Sequence, residues 1–202
     1  MPLKSRYSEQ YIIECGVDEA GRGAIAGPLY AAAVILPENY ENDLIDDSKK
    51  LTRDQRNKLR EIIEREALAY CVVAVSEVVI DEINVLNATF LGMNNAVKGL
   101  DVQPELLLID GNRFRNSTNI PYQCCVKGDA NYLSIAAASI LAKTYRDDFM
   151  DDIDREFPQY EWRKNKGYPT ASHQQTVIQQ GRCIYHRKSF QLKSQLKLDF
   201  GE

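Results

Sequence analysis

The chain lacks the features that would send it to a membrane, an oxidising compartment or a repetitive assembly. Its uninterrupted apolar runs, such as LYAAAVIL at 29–36, are far short of the roughly 20 residues a membrane-spanning helix needs. The opening MPLKSRYSEQ holds no apolar signal core, so a cytoplasmic protein with no membrane partner is expected. Five cysteines, an odd number without a CxxC pair or a metal-finger spacing, read as reduced core thiols. With only two histidines, His173 and His186, neither histidine acid–base chemistry nor a His-rich zinc site is favoured. His173, in PTASH, reads as a polar loop or helix residue. Repeats, low-complexity tracts, Pro/Gly-rich linkers and a GxxxxGK[ST] phosphate loop are all missing.

What is present is enough for a full hydrophobic core. At 202 residues, with 44% hydrophobic and 27% charged, the chain is expected to form one domain over 1–202, with 158–202 a helical and basic appendage. The net charge of −4 conceals an asymmetry. Between Glu161 and Lys197 there are eight basic residues and one acidic, a formal +7. Such a stretch suits a phosphate-tracking surface or a solvated face equally well.

Hydrophobic patterning predicts strands at 11–17, 29–36, 70–76, 105–109 and 121–126. Thr52-Arg53-Asp54-Gln55 has capping-box spacing and opens a helix with Leu59, Ile62, Ile63 and Ala67 on its apolar face. A second helix is predicted from about 80 to 98, carrying Ile83, Leu86, Phe90 and Val97 at helical spacing. A third should run from near Asp129 to about Phe157, ended by Pro158, with Ala136-Ala137-Ala138 allowing close packing on a sheet. A short helix at about 170–180 should end at Gly181. The first two strands lie too close in sequence for a helical crossover, so they should pair antiparallel in a mixed α/β sheet.

The chemistry-bearing residues are acidic. In GVDEAGRG at 16–23, Asp18 and Glu19 end the first predicted strand and run into Gly21-Arg22-Gly23. Asp110 ends ELLLID before Gly111, and Asp129 in VKGDA stands where the third helix should begin. Singly, Asp129 reads as a helix N-cap and Asp110 as a turn residue. Together they belong to the rim of strand ends where α/β sheets carry ligands. There, converging carboxylates would repel one another strongly unless oxygen-seeking cations such as Mg²⁺ or Mn²⁺ joined them. Side chains alternate along a strand, so Asp18 and Glu19 can share a site only if the strand bends at Glu19, which is the expectation. Two-metal sites of this type serve in-line displacement at phosphorus. The residues alone leave Asp129 and Asp147 open as the fourth carboxylate, although Asp147 beside Arg146 reads as an ion-pair residue.

Two competing readings fit the same residues. Gly21 to Ala26 matches GxGxx[G/A], the dinucleotide-binding fingerprint. An acidic pair facing the pyrophosphate, and a strand where that fingerprint needs a helix, oppose it. A nucleic-acid-binding module with purely structural carboxylates is the other, and dispersal of the four acids would favour it.

Seven ordered motifs make the chain resemble ribonuclease HII: GVDEAGRGAIAGPL at 16–29, DDSKKLT at 46–52, LLLIDGN at 106–112, VKGDA at 126–130, SIAAASILAKTYRD at 134–147, GYPTASH at 167–173 and HRKSF at 186–190. The resemblance implies a ribonuclease H-like mixed five-stranded sheet flanked by helices, with a small helical C-terminal region. It implies a Mg²⁺- or Mn²⁺-dependent endoribonuclease, using two metals, that hydrolyses the RNA strand of RNA–DNA hybrids. The family also cuts 5′ of single ribonucleotides in duplex DNA, leaving 3′-hydroxyl and 5′-phosphate ends, in DNA repair and replication. Asp18, Glu19, Asp110 and Asp129 become the catalytic, metal-binding set. Gly21, Arg22 and Gly23 become the contacts to the 2′-hydroxyl and its phosphate, and Tyr168 the residue packed on the following deoxyribose. Lys49, Lys127, Ser139, Lys143 and Arg187 become phosphate contacts, with Lys127 an alternative counter-charge to the carboxylates. A monomer is expected, without the extra N-terminal domain of ribonuclease HIII. Gln195–Phe200, QLKLDF, resembles the peptides by which replication proteins dock on a sliding clamp, although its alternating apolar residues would equally suit folding back on the body.

Overall fold

Residues 3–46, 48 and 50–192 are described by the computed structural model; Met1, Pro2, Asp47, Lys49 and 193–202, with the Gln195–Phe200 motif, lie outside them. Five strands, β1 (Glu14–Ala20), β2 (Leu29–Ile35), β3 (Ala69–Val75), β4 (Leu106–Asp110) and β5 (Tyr122–Cys125), form one sheet in the order β3-β2-β1-β4-β5. The β1–β2 and β2–β3 pairs are antiparallel; β1–β4 and β4–β5 are parallel. The mixed sheet of the sequence reading is therefore present, with β1 shifted three residues later than predicted.

Alternation along the strands divides the core into two layers. Cys15 and Val17 of β1, Ala31, Ala33 and Ile35 of β2, and Leu107 and Ile109 of β4 face a helix α2 (Glu77–Lys98) through Ala88, Met93, Ala96 and Val97. On the opposite face, Ala32 and Val34 pack against α1 (Arg53–Glu66) and α3 (Leu133–Glu156). Thr52 caps α1 with both halves of the predicted capping box made. The second helix starts earlier than expected because Ser76 caps it, and it is broken at Asn84 (φ 64°, ψ 161°). There the Asn84 side chain caps the resumed helix by accepting from the Leu86 and Asn87 amides at 3.0 and 3.1 Å.

The third helix begins later than predicted. Asp129 is not its N-cap: it sits in a 3₁₀ turn, Gly128–Ala130, and Tyr132 occupies the cap position without a side-chain cap bond. The Ala-rich face of α3 lies directly on β1. A Cβ on Gly16 would fall 2.1 Å from the Ser134 carbonyl carbon, so only glycine permits this approach.

After α3, a 3₁₀ turn at Pro158–Tyr160 leads to α4 (Trp162–Asn165) and α5 (Ala171–Gln180), the latter ended by Gly181 as predicted. These pack on Ile25, Ala26, Met150 and Ile153 through Tyr160, Trp162 and Val177. His173 is a helix residue, as expected, and it is buried on α5 beside His186. All five cysteines are free, but only Cys15 and Cys125 are buried; Cys71, Cys124 and Cys183 are half-buried and so are not core thiols. Among the described residues no helix is long and apolar enough to cross a membrane.

Candidate active site

Parallel pairing brings the C-terminal ends of β1 and β4 to one rim, with Val17 opposite Ile109 and hence Asp18 beside Asp110. From β5 the chain turns through Lys127, in left-handed conformation (φ 56°), into the turn that holds Asp129. The Gly128 amide donates to Asp110 Oδ1 at 2.7 Å, which ties the Asp129 turn to the end of β4. Asp18 and Asp129 are buried.

The expected bend at Glu19 is absent. Pairing of β1 with β2 continues regularly through Asp18–Ala32, Glu19–Ala31 and Ala20–Tyr30. Asp18 thus stands on the α3 side, where Ser139 hydrogen-bonds it and its Oδ1 accepts from the Glu19 amide at 2.7 Å. Glu19 stands on the α2 side, lining a cavity of about 170 Å³ with Asp110, Asn112, Arg113, Arg22 and residues of the resumed part of α2. Burial pushes the Asp18 carboxyl well up from its ordinary range, and the charges of Glu19 and Asp110 push it the same way.

Arg22 lies 3.8 Å from Glu19, so in the protein as it stands the arginine is an ion-pair partner of the acidic pair. The donor set is all hard oxygen, and the mutual repulsion of Asp18, Glu19 and Asp110 is of the kind a divalent cation offsets. By the chemistry of their oxygen donors these residues suit such an ion. Among the described residues, however, no three His, Cys, Asp or Glu side chains already close into a metal-holding group.

Three of the expected phosphate contacts have partners within the protein. Ser139 is buried, bonding Asp18 and the Ser48 hydroxyl at 3.0 Å. Lys143 pairs with Asp147 one helical turn on, and Arg56 lies 3.7 Å from the same carboxylate. Asp147 is therefore the ion-pair residue anticipated, but its partners are Lys143 and Arg56, not its neighbour Arg146. Arg187 is fully buried, donating to the carbonyls of Gly27 (3.0 and 2.8 Å) and Arg22 (3.1 Å). Lys127 is exposed at the rim, and Lys49 lies outside the described residues.

Gly21–Gly23 and Tyr168 come together. A Cβ on Gly23 would lie 4.0 Å from Tyr168 Cε1. The Ile25 and Ala26 amides both donate to the Gly167 carbonyl, at 2.9 and 3.3 Å, which knits the two segments by their backbones. Tyr168 is held from behind: its carbonyl lies 2.9 Å from His173 Nδ1, whose Nε2 is 3.1 Å from Trp162 Nε1 and 3.3 Å from His186 Nε2. Indole N–H can only donate, so His173 accepts at Nε2 and donates from Nδ1 to Tyr168.

Sequence reasoning missed Asn112, Arg113 and, above all, Arg146. A signal for the last existed: Ser139, Ala142, Arg146, Met150 and Ile153 follow helical spacing, and all five are buried. A charged residue on such a stripe requires partners inside the fold.

Among solved structures, the ribonuclease H2 of Pyrococcus horikoshii OT3 matches with a TM-score of 0.76 at 25% identity, over 93% of this chain and 98% of that one. An Archaeoglobus fulgidus ribonuclease HII, solved as a complex with PCNA, matches with a TM-score of 0.71 at 24% identity, over 90% and 96%, a likeness of fold alone. Fold and acidic rim thus define a ribonuclease H-type α/β protein. A family model described as Ribonuclease HII matches residues 15–193. The ribonuclease HII of Bacteroides thetaiotaomicron is 56% identical over 196 residues, covering 96% of this chain and 98% of the relative. The chain belongs to the ribonuclease HII family, and its activity is that of a ribonuclease H.

Proposed function

We propose that this ribonuclease cuts duplex DNA 5′ of a single embedded ribonucleotide, as well as the RNA strand of RNA–DNA hybrids. The observation that carries this reading is the adjacency of Gly23 and Tyr168 beside the acidic rim. Glycine amides can approach a sugar closely, and the 2′-hydroxyl is what separates RNA from DNA. In this reading Gly21 and Gly23 meet the ribose, and Arg22 exchanges Glu19 for the substrate phosphate. Tyr168 packs on the sugar that follows.

Asp18, Glu19, Asp110 and Asp129 would hold Mg²⁺ or Mn²⁺, which when bound supplies an activated water and a stabilised leaving oxygen. Water adds to the phosphorus on the 5′ side of the ribonucleotide, and the bond to the preceding 3′-oxygen breaks. That oxygen takes a proton, leaving a 3′-hydroxyl and a 5′-phosphate. Ser139 contributes indirectly by fixing the Asp18 carboxylate. Ends of this kind suit a role in ribonucleotide removal during repair and replication.

The test is cleavage of a DNA duplex containing one ribonucleotide, with Mg²⁺ or Mn²⁺ and after chelation. Activity should vanish with EDTA and fall by about 100-fold or more in Asp18→Asn. Wild-type protein inactive with both ions, or Asp18→Asn cutting at full rate, would refute the proposal.

A further inference from the structure

We propose that Arg146 is the positioning residue that joins the Gly21–Gly23 loop and Tyr168 into a single rigid reader. The inference rests on the ribonucleotide-reading role given above to those two segments. Its basis is geometric. The Arg146 guanidinium is fully buried, and each of its three nitrogens donates to a backbone carbonyl: Nε to Pro28 at 3.0 Å, Nη2 to Ala26 at 3.1 Å and Nη1 to Lys166 at 2.8 Å. Two of these carbonyls follow the glycine loop in sequence, and the third precedes Tyr168 by two residues.

The same side chain touches both reading elements directly. A Cβ on Gly21 (φ 91°) would fall 2.1 Å from Arg146 Nε, so the loop backbone rests on the guanidinium stem. Arg146 Cζ lies 5.4 Å from the Tyr168 ring centroid, within cation–π range. Among the described residues no carboxylate pairs with Arg146 at salt-bridge distance. A buried cation of this kind is costly and is tolerated only when its donors are fully matched. The planar fork of arginine supplies that match, and the ammonium of lysine does not.

Helix α3 adds a second consequence. Ser139, which bonds Asp18, and Arg146 stand seven residues apart on one buried stripe, or about 10 Å along the helix axis at 1.5 Å per residue. One rigid element therefore sets the spacing between the acidic rim and the reader. Loosening Arg146 should harm recognition of a lone ribonucleotide more than cleavage of a continuous hybrid, where many registers are productive.

The experiment measures kcat/KM on a single-ribonucleotide duplex and on a long RNA–DNA hybrid, with Mg²⁺ present. The full-length variants are Arg146→Lys, Arg146→Gln, Tyr168→Ala and the Arg146→Lys/Tyr168→Ala double. Both Arg146 substitutions should lower the single-to-hybrid ratio by about tenfold, as a misplacement of order 1 Å can do. In the Tyr168→Ala background, Arg146→Lys should lower that ratio no further, because the two act as one unit. Leu59→Ala, a core truncation on α1, should reduce the melting temperature and leave the ratio intact. Equal losses on both substrates for Arg146→Lys and Arg146→Gln, or multiplying effects in the double variant, overturn the proposal. A ratio moved by Tyr168→Ala but by neither Arg146 variant overturns the coupling alone. A ratio unmoved by Tyr168→Ala removes the junction reading and the coupling with it. Gln carries no charge into the core, so it supplies the reading if the lysine variant does not fold.

Discussion

At the scale of single residues, adjacent acids in the sequence have different surroundings in the fold. Asp18 is buried against α3 and bonded by Ser139, whereas Glu19 faces the α2-side cavity and pairs with Arg22. A buried carboxylate depends on its hydrogen-bond partners more than an exposed one does. Ser139→Ala should therefore lower kcat by about tenfold, equivalent to about 1.4 kcal/mol, while leaving KM for the duplex nearly unchanged. Steady-state kinetics at saturating metal checks this, and a change confined to KM would instead make Ser139 the phosphate contact that the sequence suggested.

At the scale of elements, α3 organises the molecule. It packs on β1, follows the Asp129 turn, holds Asp18 through Ser139, and reaches the C-terminal segment through Arg146 and Met150. The close approach at Gly16 makes this possible, because an added methyl would collide with backbone that cannot swing aside. Gly16→Ala is expected to destabilise the fold by about 2–3 kcal/mol, as overpacking against backbone does. Urea denaturation measures it. A loss below about 0.5 kcal/mol would show that the helix can lift off the strand without penalty.

At the scale of the whole molecule, the C-terminal segment is held together by the His173–His186–Trp162 cluster and fastened to α3 and the loop after β1 by two buried arginines. Burial, the His173 neighbour and Arg182 push His186 down from 6.5 to about 4, and burial pushes His173 in the same direction. The folded form therefore binds fewer protons than the unfolded chain between about pH 6.5 and about pH 4. This contribution is complete above the unfolded value and is lost as the pH falls toward the folded one. His186 alone should remove about 2 kcal/mol of stability between pH 7 and pH 5. Denaturation at the two pH values tests this, with His186→Gln expected to flatten the difference. Beyond the described residues, Gln195–Phe200 is proposed to dock on a sliding clamp. Recovery of the protein with purified clamp should fall to background in Phe200→Ala, and equal background recovery of wild type and variant would retire the idea.

Much of this was legible in the sequence. The strands, the capping box at Thr52, the antiparallel start of the sheet, the helix ended by Gly181 and the acidic positions could all be read from it. Each rests on local physics: alternation, capping, turn chemistry or short connections. The sequence could not separate side chains that face substrate from those that face the protein. Lys143, Arg187 and Ser139 have the composition of phosphate contacts, and each is occupied by a partner distant in the chain or one helical turn away. Nor could it show Arg146 bridging carbonyls more than a hundred residues apart in sequence, since that depends on where α3 places its buried stripe. By itself, then, the pattern of the sequence determined the class of fold and set Asp18, Glu19 and Asp110 at strand ends, because both follow from short-range signals, whereas the preference for Asp129 over Asp147 came from the family resemblance. Only the tertiary structure decided which charges turn inward, because desolvation and hydrogen-bond matching are settled by contacts between segments that meet only when folded.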